Sequence, residues 1–198
     1  TVLRVGALAA CLLAVAPVTA TYGAASSSPP EYGWWNRQQA LPAQGDPSGL
    51  GVTTVPTVPA PATVPADGLY VATDPSGPSA ISALRYVGGG AGALTLQVAE
   101  GSTLTGTEKV VACPVQGGFT PVQNGAWASK PGYDPATCTV PGVPADDGSS
   151  FTFEIPSSFA SAVGDVQIVV APAGDASAFS LPFDRPADDS FVVTAPVS

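Results

Sequence analysis

From Gly68 to Thr194 the chain falls into short apolar runs, each ended by Gly, Pro, Asp or Ser, and several of them alternate with a period of two. In Leu94-Thr95-Leu96-Gln97-Val98 the three apolar side chains face one way and the two polar ones the other. Phe151, Phe153 and Ile155 repeat the pattern across Thr152 and Glu154. A side-chain period of two is strand geometry with one face buried. In Ala80–Val87 it sets Ile81, Ala83, Arg85 and Val87 against Ser82, Leu84 and Tyr86. Val166–Val170 is more continuously apolar, broken only by Gln167, which predicts a central strand. The eight expected strands are 69–73, 80–87, 93–99, 108–115, 150–155, 166–171, 178–181 and 190–194.

Strands of this length with frequent turn signals predict an all-β fold, an antiparallel sandwich of jelly-roll or immunoglobulin-like type. One short helix is expected at Ser157–Ala162, opened by Pro156 and ended near Gly164. No β-α-β rhythm appears, so a doubly wound nucleotide-binding fold is excluded. No repeat of fixed period is present either.

Upstream of Gly68 the texture differs. Residues 1–20 (TVLRVGALAACLLAVAPVTA) place Arg4 before an apolar run, then Pro17 and the small residues Val18-Thr19-Ala20. That order is expected of a secretory signal peptide, with a second acceptable cut after Ala25. The apolar run is too short to span a bilayer, which takes ~20 residues. Membrane association is therefore expected only through an uncleaved signal. Cys11 lies inside the apolar run and is expected to leave with it. Residues 21–67 form an N-terminal arm: a small polar spacer, the segment EYGWWNRQQAL at 31–41, then a proline-rich linker. Val55-Pro56, Val58-Pro59 and Val64-Pro65 read as a semi-rigid polyproline-II strap. The sandwich domain is expected to begin at Gly68 and run to 198. Trp34 and Trp35 are expected to pack back on it from outside, or to offer an aromatic patch to a partner.

After signal removal two cysteines remain, Cys113 and Cys138, and an even count in an exported chain predicts a disulfide. It encloses 24 residues, CPVQGGFTPVQNGAWASKPGYDPATC from end to end. Phe119, Trp127 and Tyr133 lie in this loop beside Lys130 and Asp134. They form either a plug for one end of the sandwich or a stacking platform for a ligand.

Composition removes several chemistries. Histidine is absent, which excludes Ser-His-Asp and Cys-His nucleophile systems and histidine-ligated zinc. Only six Lys and Arg against 15 Asp and Glu cannot neutralise a nucleic-acid backbone. Asp146-Asp147-Gly148-Ser149 and Asp74-Pro75-Ser76-Gly77 read as ordinary turns, not calcium cages. Among Glu100, Glu108, Asp134 and Glu154 no pair stands out as glycosidase carboxylates. No catalytic residue, metal or cofactor is expected.

Cys113-Pro114, Gly125-x-Trp127, Pro131-x-Tyr133-Asp134 and Cys138 resemble a segment of secreted actinobacterial β-sandwich modules. So do Ile81–Tyr86 leading into Leu94-Thr95-Leu96, and Phe153-Glu154-Ile155 ahead of Gly164–Pro172. Together they resemble the DNRLRE-type, carbohydrate-binding-like sandwiches of surface proteins. The DNRLRE signature is absent, and Phe119 stands where the family has its first tryptophan. The resemblance implies a non-catalytic extracellular or cell-surface module of a high-GC Gram-positive bacterium. Its partner is expected to be a cell-envelope protein or polysaccharide. The alternative is a carbohydrate-binding module that stacks sugars on Trp127, Tyr133 and Phe119.

Overall fold

The structure, a computed structural model, describes residues 28–39, 60, 61, 63–162 and 164–194. The expected signal segment, Cys11 and most of the proline-rich strap lie outside these residues. The strands are β1 (Glu31–Asn36), β2 (Leu69–Asp74), β3 (Gly77–Tyr86), β4 (Gly92–Gln97), β5 (Val110–Pro114), β6 (Gly125–Ala126), β7 (Val140–Pro141), β8 (Val143–Pro144), β9 (Ser150–Ile155), β10 (Val166–Pro172), β11 (Phe179–Phe183) and β12 (Phe191–Val193). Every run with strand texture in the sequence forms a strand, with ends shifted by a few residues. β1, β6, β7 and β8 are additional.

The strands form two sheets. The larger runs β11-β2-β3-β10-β5-β7, with β1 on β3 and β6 on β1; the smaller runs β12-β4-β9-β8. Period-two alternation sends Leu94, Leu96, Phe151, Phe153 and Ile155 of the small sheet against Leu84, Tyr86, Ile168, Val170 and Leu181 of the large one. All of these are buried, which makes this layer the main core of an all-β sandwich. Tyr86 spans it, its hydroxyl 2.8 Å from Ser190 Oγ, and burial pushes the phenol well above its usual pKa. β10 is central, between β3 and β5, and its alternate residues Val169 and Ala171 face a second cluster on the opposite side.

The chain changes sheet between β7, paired with β5, and β8, paired with β9. Gly142 sits at that corner. A Cβ there meets Phe153 Cε1 and Val110 Cγ2, each at 2.7 Å. Gly142→Val is therefore expected to overpack the core and lower stability by roughly 1–3 kcal/mol. Chemical denaturation reads the loss as a lower midpoint at unchanged slope; an unaltered midpoint refutes this account of the corner.

Prolines mark the outermost strands. Pro141 in β7, Pro182 in β11 and Pro144 in β8 each remove a backbone donor from a sheet-edge strand. Edge prolines blunt association with further strands. Where β2 meets β3 the register shifts between Ala72 and Thr73. There buried Ser82 substitutes for a ladder bond: its Oγ accepts from Tyr70 N at 3.0 Å and donates to Tyr70 O at 2.9 Å.

Two expectations are corrected. The helix at Ser157–Ala162 is a single 3-10 turn, Ser157–Phe159. Buried Phe159 anchors it to the core, and Ala160 bridges Val166 in extended conformation, which ends the turn at once. The larger correction concerns the arm. Residues 31–36, expected outside the sandwich, form β1 of the larger sheet, antiparallel to β3 along 80–85. Arg85 pairs with Glu31 at one end of the strand, and Arg37 with Asp74 just past the other, at 2.6 Å. The boundary at Gly68 thus does not separate arm from core.

Candidate functional site

Adjacent residues of a strand point to opposite faces, so both tryptophans of β1 are buried only because the strand is covered on both sides. Each is 1% exposed. Trp34 packs with Tyr70, Ala72 and Ala80, edge-on to the Tyr70 ring at 5.3 Å. Trp35 turns the other way, onto Ile81, Ala83, Cys113, Val169 and Ala171 on the outer face of the larger sheet. The alternative of an exposed Trp34/Trp35 patch is therefore overturned: both are buried, each in a smaller cluster apart from the main core.

The loop from Cys113 to Cys138 lies over that outer face, not over an end of the sandwich. Its two cysteines are joined, with the Cα atoms 4.2 Å apart. Gln116 N donates to Gly132 O at 2.7 Å and narrows the neck. At the far side Trp34 N donates to Val122 O at 2.9 Å, and β6 pairs parallel with Trp35 and Asn36. The loop thus supplies partners to the edge of β1 that β3 leaves open. Phe119, Trp127 and Tyr133 are all half-buried, packed against the Trp35 cluster. Phe119 stands edge-on to Trp35 with ring centres 5.8 Å apart. Burial raises the Tyr133 phenol pKa. Lys130, also half-buried, holds Nζ 5.4 Å from the Trp127 ring centre and 5.7 Å from that of Tyr133, a cation–π contact with both.

An open cavity of about 640 Å³ lies at the Phe119 end of the loop, lined by Trp35, Gly118, Phe119, Thr120, Val122 and Ser129. A second, of about 440 Å³, lies beside the disulfide between Tyr133, Pro135, Val111 and Pro172. Trp35, which lines the first, carries a feature that the sequence concealed. Trp35 Nε1 is shut from solvent and finds no acceptor among the described residues. Most buried donors are paired, and leaving one unpaired costs about 1–3 kcal/mol. Trp35 is visible in the sequence as an aromatic; nothing in the sequence tells which loop closes over it. Thr120 and Ser129 carry no signal at all.

No family model, curated protein or solved structure matches this chain.

The carboxylates serve local structure. Asp134 Oδ1 caps the 3-10 turn at Pro135–Thr137 by accepting from Ala136 N at 2.9 Å. Asp74 and Asp147 accept from Ser76 and Ser149 in their turns, and these bonds hold both below the usual carboxylate range. Asp175 is lowered by its bond to Lys109, at 2.5 Å. Glu108 is also lowered: burial works against this, but hydrogen bonds from Thr105 and from the Gly106 and Glu108 backbone together outweigh it. Glu154 points outward and is exposed. Among the described residues no group of three or more potential metal ligands occurs, and no helix is long and apolar enough to cross a membrane.

Proposed function

We propose that this chain is a non-catalytic, exported β-sandwich that serves as a structural or interaction module at the surface of a high-GC Gram-positive bacterium. The observation that carries this reading is the use made of the loop aromatics. Phe119, Trp127 and Tyr133 pack onto the Trp35 cluster, and Lys130 lies against two of the three rings. A loop so arranged stabilises a sheet edge. The disulfide supports an oxidising compartment. The resemblance to DNRLRE-type surface sandwiches agrees with such a role. The alternative, a stacking platform on Trp127, Tyr133 and Phe119, has less support, because half-buried rings turned into a sheet offer little open face to a sugar.

General acid–base chemistry needs a group poised near the working pH. The shifted carboxylates move down, away from neutrality, and the shifted tyrosines move up. Purified protein incubated with a panel of polysaccharides is expected to release no reducing ends. Reproducible turnover that disappears in Glu154→Gln or Asp134→Asn refutes the non-catalytic reading.

A further inference from the structure

We propose that the Cys113–Cys138 bond is a one-sided exchange site. A small external thiol enters the cavity of about 440 Å³ beside the disulfide and forms a mixed disulfide with Cys138, while Cys113 stays unmodified. This goes beyond the structural role proposed above and fails separately from it. Turnover on polysaccharides tests the non-catalytic reading; the position of a thiol adduct tests the exchange site.

The two cysteines stand in unlike surroundings. Cys113 lies in β5 and is 0% exposed, packed on the outer face of the larger sheet with Trp35, Ile81, Ala83, Val169 and Ala171. Cys138 stands in the loop laid over that face, just after the 3-10 turn at Pro135–Thr137, and is only half-buried. Of the pair, Cys138 alone lines the cavity, beside Pro78, Val111, Tyr133, Pro135 and Pro172. A thiolate displaces a disulfide sulfur in line with the bond that breaks, so access behind each sulfur decides which one is attacked. Behind Cys138 that line leads away from the sheet. Behind Cys113 it leads into packed side chains. A volume of about 440 Å³ falls within the range of small-molecule sites, which suits a thiol of low molecular weight. The one charged residue of the lining, Asp175, is acidic and the chain carries a net charge of −9, which disfavours an anionic thiol.

The exchange balances with the thiol as its only co-reactant. The thiol gives its proton to solvent, and its sulfur bonds Cys138 Sγ as the bond to Cys113 breaks. The electron pair of that bond goes to Cys113 Sγ, which takes up a proton and becomes a thiol. The disulfide is the covalent tie between the loop and β5, and the bond from Gln116 N to Gly132 O remains at the neck. Breaking the tie loosens the hold of the loop on the edge of β1, which runs through Val122 and β6. While the loop stays seated, Cys113 lies under Cys138, with Cα atoms 4.2 Å apart, and expels the thiol by closing the bond again. A lifted loop keeps the adduct. Occupancy of Cys138 therefore reports the position of the loop.

The full exported chain with its disulfide intact is incubated with 2-mercaptoethanol, a neutral thiol, in mildly alkaline buffer. Samples taken over time are quenched in acid and alkylated with N-ethylmaleimide. Endoproteinase Asp-N cuts before Asp134, which separates Cys113 from Cys138 for mass spectrometry. The mercaptoethanol adduct is expected on Cys138 and the maleimide on Cys113, in roughly tenfold excess over the reverse arrangement. In guanidinium chloride both sulfurs are open, and the ratio is expected to fall towards one. Adducts shared equally between the two cysteines of the folded protein, or carried mainly by Cys113, overturn the proposal. So does a folded protein that forms no mixed disulfide at any time. A bias of the same size in guanidinium chloride also overturns it, because the preference then belongs to the local sequence and not to the fold.

Discussion

Deletion of residues 28–39 is expected to abolish cooperative unfolding of the remaining chain. Trp34 and Trp35 are each 1% exposed, and they anchor two separate clusters on opposite faces of β1. Loss of one buried tryptophan side chain costs about 3–5 kcal/mol. Two in separate clusters approach the entire 5–15 kcal/mol that holds an ordinary domain together. The deletion also strips β3 of its pairing along 80–85 and leaves Val122 and β6 without their strand. Near-ultraviolet circular dichroism during heating should show no sigmoidal transition for the shortened chain. Trp34→Phe, which keeps most of the ring volume, should still melt cooperatively at a lower temperature. If the shortened chain melts cooperatively within a few degrees of the full one, β1 is an accessory and the sandwich is complete without it.

Reduction of the Cys113–Cys138 bond comes next in size. Closing a loop with a sequence separation of 25 stabilises by about 3.5 kcal/mol on the chain-entropy model. For a domain of this size that corresponds to a fall in Tm of roughly 10 °C. The effect should extend beyond the loop, since the loop carries Val122 and β6 to the edge of β1. Hydrogen exchange in the reduced protein should therefore speed up at Trp34 and Asn36 as well as at the loop amides. Cys113→Ala/Cys138→Ala should behave alike. Unchanged exchange in β1 after reduction limits the disulfide to local closure.

Much of this architecture is legible in the chain because strand formation leaves a short-range mark. Alternation in Leu94–Val98 and Phe151–Ile155, the mostly apolar run at Val166–Val170, and the turn residues between them place all the principal strands. The disulfide follows from the even cysteine count that remains once Cys11 is set aside with the expected signal segment. The Asp-Ser turns follow from side chains that bond their own backbone two residues on.

What the tertiary structure alone decided is held by partners distant in sequence. β6, β7 and β8 span two residues each, too few to show any period. β1 has two adjacent apolar residues and a glycine, a pattern that fits an exposed arm as well as a strand covered on both faces. Its identity as a strand comes from β3, some fifty residues on, and from the loop that lies over its far edge. The same holds for the site. Phe119, Trp127 and Tyr133 are conspicuous as aromatics, yet which way a ring turns depends on the surface beneath it, and that surface is the outer face of β3 and β10. The unpaired indole N–H of Trp35 belongs to the assembled fold alone, because a donor lacks an acceptor only after every neighbour has taken its place.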